Sequence, residues 1–141
     1  MPISLRLTAT RGVFSILRLP ADAVPPEWLT GEGFSSVTRT ATELSIVCPT
    51  SAVPAENAHP HQPGWRMLRF EGPFEFSQTG ILAAVAGPLA VAGIGIFVIS
   101  TFDTDYLLVQ AADFEAASAV VVEAGHELEA EGSTTKDDRA G

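Results

Sequence analysis

This chain of 141 residues contains one cysteine, one tyrosine and only eight basic residues. A lone Cys48 excludes an internal disulfide. Eight Lys and Arg stand against 17 Asp and Glu, a net charge of -9. The few cations are scattered, so no basic patch offers itself to nucleic acid or to an anionic membrane. No Ser-His-Asp set, nucleotide-binding glycine loop or pair of helical carboxylates can be assembled. No enzyme activity and no cofactor are therefore expected. Two of the three histidines, His59 and His61, lie in "TSAVPAENAHPHQPG" near Glu56 and Cys48. That stretch reads as an irregular connector, and its spacing does not suit a structural zinc site. His126 stands alone near the C-terminus and reads as a surface residue. The N-terminus lacks the apolar core and small-residue cleavage site of a signal peptide, so a cytoplasmic location is expected.

Charge is also missing from a long internal window. Nothing between Glu75 and Asp103 is charged, and "GILAAVAGPLAVAGIGIFVIS" (80–100) is long enough to span a bilayer. Its composition is Ala- and Gly-rich, however, and its flanks are acidic on both sides, with no cytoplasmic cationic anchor. Its texture changes at Gly93. Before it, Ile81, Leu82, Val85, Leu89 and Ala92 recur at helical spacing, with Ser77 at the N-cap position. After it, Ile94, Ile96, Val98 and Ile99 crowd β-branched residues together. The window predicts a helix over 77–92, a terminating glycine at 93 and a buried central strand over 94–100.

What the sequence does contain is an internal repeat. "GFSSVTRTATELSIV" from Gly33 and "GIFVISTFDTDYLLV" from Gly95 align at an offset of 62, pairing Thr42 with Thr104 and Ile46 with Leu108. Each reads as an antiparallel hairpin. A helix candidate precedes each, "ADAVPPEWLTG" and residues 77–93, and before these lie the strands "VFSILRLP" and "WRMLRFEG". The second copy continues with "ADFEAASAVVVEAG", in which Phe114, Ala117, Val120, Val121 and Ala124 line one helical face between a capping Asp113 and a terminating Gly125. "HELE" adds a final edge strand. The order β-α-β-β-α-β defines a ferredoxin-like sheet with two helices on one face. The expected class is α+β: two such modules in tandem, residues 1–63 and 64–130, with a disordered tail over 131–141. In the first module the second helix is degenerate, replaced by the Pro-rich connector. Phe97 and Ile99 give the strand 94–100 a second apolar face, which predicts a homo-oligomer, most simply a twofold dimer.

Tandem acidic βαββαβ modules without catalytic residues resemble ACT domains, which bind amino acids and regulate metabolism. "EFSQTGILAAVAGPLAVAGIGIFVISTFDTDYLLV" is similar to the C-terminal ACT module of the cytosolic arginine sensors, the CASTOR family, and of short bacterial ACT proteins. "ISTFDTDY" is the most specific element. "FSSVTRTATELSIVCP" is likewise typical of the short bacterial members, and a looser similarity reaches aspartokinase regulatory domains.

The resemblance implies a non-catalytic amino-acid sensor that passes its signal to a downstream protein. It implies a ligand between two ACT modules, held by Glu75, Phe76, Ser77, Gln78 and Gly80 on one loop and by Thr101, Phe102 and Asp105 at a strand end. A helix starting at Ser77 would offer unpaired N–H groups to a carboxylate, and Asp105 would pair with a cation. The alternative for Asp105 is a turn residue closing the hairpin, for Ser77 a plain cap, and for Phe102 a core residue. Where the arginine sensors carry an acidic residue, this chain has Gln78. That removes an ion-pair partner for a guanidinium and opens the site to a smaller or neutral amino acid. The alternative function is an interaction module that uses its sheet for oligomerisation, with no ligand.

Overall fold

The computed structural model describes residues 3–75 and 77–132, so expectations for Phe76 and for residues 133–141 of the tail lie outside the described residues. These hold eight strands and two α-helices, divided into two compact units, residues 12–66 and residues 3–11 with 67–132. The architecture is mixed α+β.

In the first unit, strands β2 (Phe14–Leu19), β3 (Ser36–Arg39) and β4 (Leu44–Pro49) pair in the order β3-β4-β2, and β2 then meets β5 (His61–Phe70). Strand β5 begins inside the Pro-rich connector, four residues before the expected "WRMLRFEG". Pro63 is tolerated because the β2–β5 register shifts there, between the pairs Phe14↔Trp65 and Ile16↔Gln62. The core consists of Leu17, Leu19, Leu44, Ile46 and Cys48, covered by Ala23, Trp28, Leu29 and Val53. The helix expected over "ADAVPPEWLTG" is absent. Two turns replace it, closed by Ala23 N–H to the Pro20 carbonyl and Leu29 N–H to the Pro26 carbonyl, each at 3.0 Å. Pro25 and Pro26 supply no N–H, and each disfavours helical backbone in the residue before it. In the connector, a short 3₁₀ turn (Thr50–Ala52) is followed by irregular backbone up to β5. His61 Nε2 lies 2.7 Å from the buried Ser15 Oγ, which also meets Thr50 Oγ1 at 2.8 Å.

In the second unit, the order is β6 (Phe97–Ser100), β7 (Asp105–Gln110), β5, β1 (Arg6–Ala9), β8 (Glu127–Ala130). Strand β1 runs antiparallel to β5 and parallel to β8, so the chain's first strand lies between the first and last strands of the βαββαβ order. Helices α1 (Ala83–Val91) and α2 (Phe114–Glu123) supply Val85, Leu89, Ala117 and Val121 to a core with Leu7, Leu68, Phe70, Leu107 and Val109.

Several expectations need correction here. Helix α1 starts six residues later than 77, its N-cap is Leu82, and Ser77 therefore caps nothing. It ends as expected, with Gly93 at φ +77°, a conformation that glycine adopts without penalty. Strand β6 is shorter than 94–100 and is an edge rather than central. Among the described residues it pairs with β7 alone, and Phe97, Val98 and Ile99 are half-buried. His126 is buried, at 5% exposure. Its Nδ1 accepts the Leu5 N–H at 3.1 Å and its Nε2–H donates to the Ala84 carbonyl at 2.9 Å. Ala84 lies one turn before Pro88, which has no N–H to give that carbonyl, so the imidazole fills the place of the missing helical donor. No helix among the described residues is long and apolar enough to cross a membrane.

The repeat is present with a shift of one residue. Strand β3 pairs with β4 from Ser36↔Val47 to Arg39↔Leu44, and β6 with β7 from Phe97↔Leu108 to Ser100↔Asp105, an offset of 61. Both turns are closed in the same way. Thr40 N–H donates to the Glu43 carbonyl at 2.9 Å, and Thr101 N–H to the Thr104 carbonyl at 2.8 Å. In each, the threonine hydroxyl accepts the N–H three residues on, at 3.1 and 3.3 Å. The 3₁₀ turns Thr50–Ala52 and Ala111–Asp113 follow at the same offset.

Candidate ligand site

The loop after β5 is fastened to the β6–β7 turn. Thr104 Oγ1 donates to the Phe70 carbonyl at 2.7 Å, and Phe74 N–H donates to the Asp103 carbonyl at 2.9 Å. Gly72 makes the approach possible, because a Cβ there would lie 3.0 Å from the Asp103 carbonyl oxygen and 3.1 Å from Thr104 Cβ. Further on, Glu75 and Gln78 close a small ring. Gln78 N–H reaches the Glu75 carbonyl, and Gln78 Oε1 accepts the Glu75 N–H, both at 3.0 Å. On the facing strand end, Ser100 Oγ donates to Asp105 Oδ1 at 2.6 Å.

Between loop and hairpin lies a cleft of about 240 Å³, walled by Phe74, Glu75, Gln78 and Ile81 on one side and by residues 100–105 on the other. All of it comes from the second unit. Of the residues expected at a ligand site, Glu75, Gln78, Thr101, Phe102 and Asp105 line this cleft, while Ser77 and Gly80 do not. The wall also includes Phe74, Ile81, Ser100, Asp103 and Thr104, which the sequence reading passed over. Asp103 and Thr104 sit inside the "ISTFDTDY" element already singled out. Nothing in the sequence marked Phe74 or Ile81, whose positions follow from the late start of α1.

The lining carries three carboxylates, Glu75, Asp103 and Asp105, and no basic side chain. Such a wall favours a cationic group, which the threonine hydroxyls and the Gln78 amide can supplement with directed hydrogen bonds. Phe74, Ile81 and Phe102 supply apolar surface; Phe102 is 79% exposed at the rim. Among the described residues no group of three or more His, Cys, Asp or Glu side chains gathers to hold a metal.

Residues 61–122, which include this cleft, match the ACT domain family model, and residues 12–56 match a second model, described as an N-terminal domain. The fold and this match place an ACT domain at residues 61–122. More particularly, the chain belongs to one family with an Agobacterium tumefaciens protein of known structure, 43% identical, covering 94% of this chain and 98% of that one at a TM-score of 0.85. A segment of 46 residues is 52% identical to the human cytosolic arginine sensor for mTORC1 subunit 1. That segment is 32% of this chain and 14% of the sensor. Clostridium acetobutylicum aspartate kinase has the same fold over 84% of this chain and 34% of its own, at a TM-score of 0.65 and 13% identity.

Proposed function

We propose that this protein is a non-catalytic regulatory ACT protein that binds an amino acid in the cleft between the 74–81 loop and the 100–105 turn. The observation that carries this reading is the lining itself. Glu75, Gln78, Thr101, Phe102 and Asp105 line one cleft inside the stretch that matches the ACT domain. Asp105 and Glu75 take the ligand's cationic group, and the hydroxyls of Thr101 and Thr104 orient it. The protein acts in the cytoplasm as a homodimer and passes its state to a partner protein. It comprises two ACT modules in tandem, the first with its second helix degenerate. The shared strand order supports this: β3-β4-β2-β5 in one unit corresponds to β6-β7-β5 and β8 in the other, with β1 inserted.

Calorimetric titration with a panel of amino acids, together with thermal shift, tests the reading. Saturation at 100 times Kd adds about 2.7 kcal/mol of stability. Asp105→Ala should weaken binding tenfold or more, the loss of a charge-assisted hydrogen bond worth about 1.5–3 kcal/mol. Gln78→Glu should shift preference toward arginine or lysine. A wild-type protein that binds no amino acid at millimolar concentration overturns the proposal. The second reading, an interaction module without ligand, is favoured by the edge position of β6 among the described residues. It predicts a stable oligomer that no amino acid affects.

A further inference from the structure

We propose that the first unit contains a guanidinium-binding site already occupied by the chain's own Arg39, and that removing this side chain opens it to free guanidinium ions. The proposal does not depend on the amino-acid reading of the second unit. It rests on comparing two turns with the same hydrogen bonds. At the offset of 61, Arg39 opposite Leu44 corresponds to Ser100 opposite Asp105. The strands entering the adjacent loops end at Leu19, paired with Leu44, and at Phe70, whose carbonyl accepts from Thr104. Ala21 and Ala23 therefore stand two and four residues beyond the strand end, as Gly72 and Phe74 do in the second unit.

In the second unit, Phe74 and Ser100 face each other as walls of the open cleft. In the first unit, the exposed Arg39 side chain reaches from the strand end to the loop. Its Nη1 donates to the Ala21 carbonyl, and its Nη2 donates to the Ala23 carbonyl at 2.8 Å. Two backbone acceptors alternate along the loop at positions that no backbone donor fills. A planar fork of N–H groups satisfies both at once, with one nitrogen on each carbonyl. The loop thus presents two carbonyls to one guanidinium.

The test uses the full chain, labelled with ¹⁵N, and titrates methylguanidinium chloride at low millimolar concentrations into wild type and Arg39→Ala. The variant should melt below wild type, and methylguanidinium should recover about half of that loss. The amide signals of Asp22 and Val24, which follow the two carbonyls, should shift saturably in the variant and not in wild type. Methylammonium at equal concentration should do neither. If Arg39→Ala does not fold, Arg39→Gln, which keeps the stem and one donor group, takes its place under the same criteria. Linear shifts without saturation, equal shifts in wild type, or an equal response to methylammonium would each overturn the proposal.

Discussion

His126 shows how much one side chain can hold. It joins the segment leading into β1 to helix α1, and it supplies the donor that Pro88 denies to the Ala84 carbonyl. His126→Ala would leave a buried N–H and a part-buried C=O unpaired, at about 2–3 kcal/mol in a denaturant titration. Pro88→Ala restores a helical donor to the Ala84 carbonyl, so the two substitutions together should lose less than the sum of their separate effects. The sequence held half of this clue. A proline inside an apolar helix predicts an orphaned carbonyl, but nothing in the local pattern names a histidine 42 residues away as its partner. Glu71 gives the second residue-scale prediction. Burial pushes its carboxyl up, but the hydrogen bonds from Thr8 and Arg69 and the charges of Arg69 and Arg6 outweigh that and hold it below the ordinary 4.5. A carboxylate favoured by the fold stabilises it above its unfolded value, and the contribution is lost as pH falls through the folded value. At this exposed site it is worth under about 0.5 kcal/mol. The stability gap between wild type and Glu71→Gln should therefore be small at neutral pH and close progressively below pH 4.5.

At the scale of elements, the turn and the loop that meet at Gly72 form one rigid corner. In Gly72→Ala, the new methyl would press on the Asp103 carbonyl and Thr104 Cβ. Overpacking of this kind costs about 1–3 kcal/mol, and the strain should distort the cleft as well as lower the melting temperature. Hydrogen exchange at residues 101–104 would report it as faster opening; unchanged exchange would contradict the packing argument. The hairpins were legible because β-branched runs flank a short polar turn, and α2 because its apolar face, acidic start and Gly125 agree. Helix α1 was legible only at its end. Its first turns were misread because Ile81 and Leu82 continue the apolar spacing, whereas the Glu75–Gln78 ring and Gly80 keep the backbone out of helix. The "ADAVPPEWLTG" helix, expected from its place before the repeated hairpin, failed on its two prolines. Of the cleft, the polar half could be read from its motif. The apolar half depends on where α1 begins, which no short motif encodes.

For the whole molecule, the edge position of β6 among the described residues and the half-buried Phe97 and Ile99 lead to a prediction of self-association. Sedimentation velocity should show a dimer at micromolar concentration, and Phe97→Lys should shift it to monomer with the secondary structure intact. A monomeric wild type would contradict this. The place of β1 has a separate consequence, one of order in time. Its segment is made before the other described strands, yet the backbone of Leu5 is held by His126, 121 residues later, and β8 has β1 as its partner. At about 5–20 residues per second, that segment waits roughly 6–24 s on the ribosome before the second unit can close around it. During that wait β1 can pair with β5 once residues 68–70 are made, but its other edge, which takes β8, stays open. Vectorial synthesis thus sets an order of assembly, in which one edge of β1 can be paired long before the strand that closes the other is made.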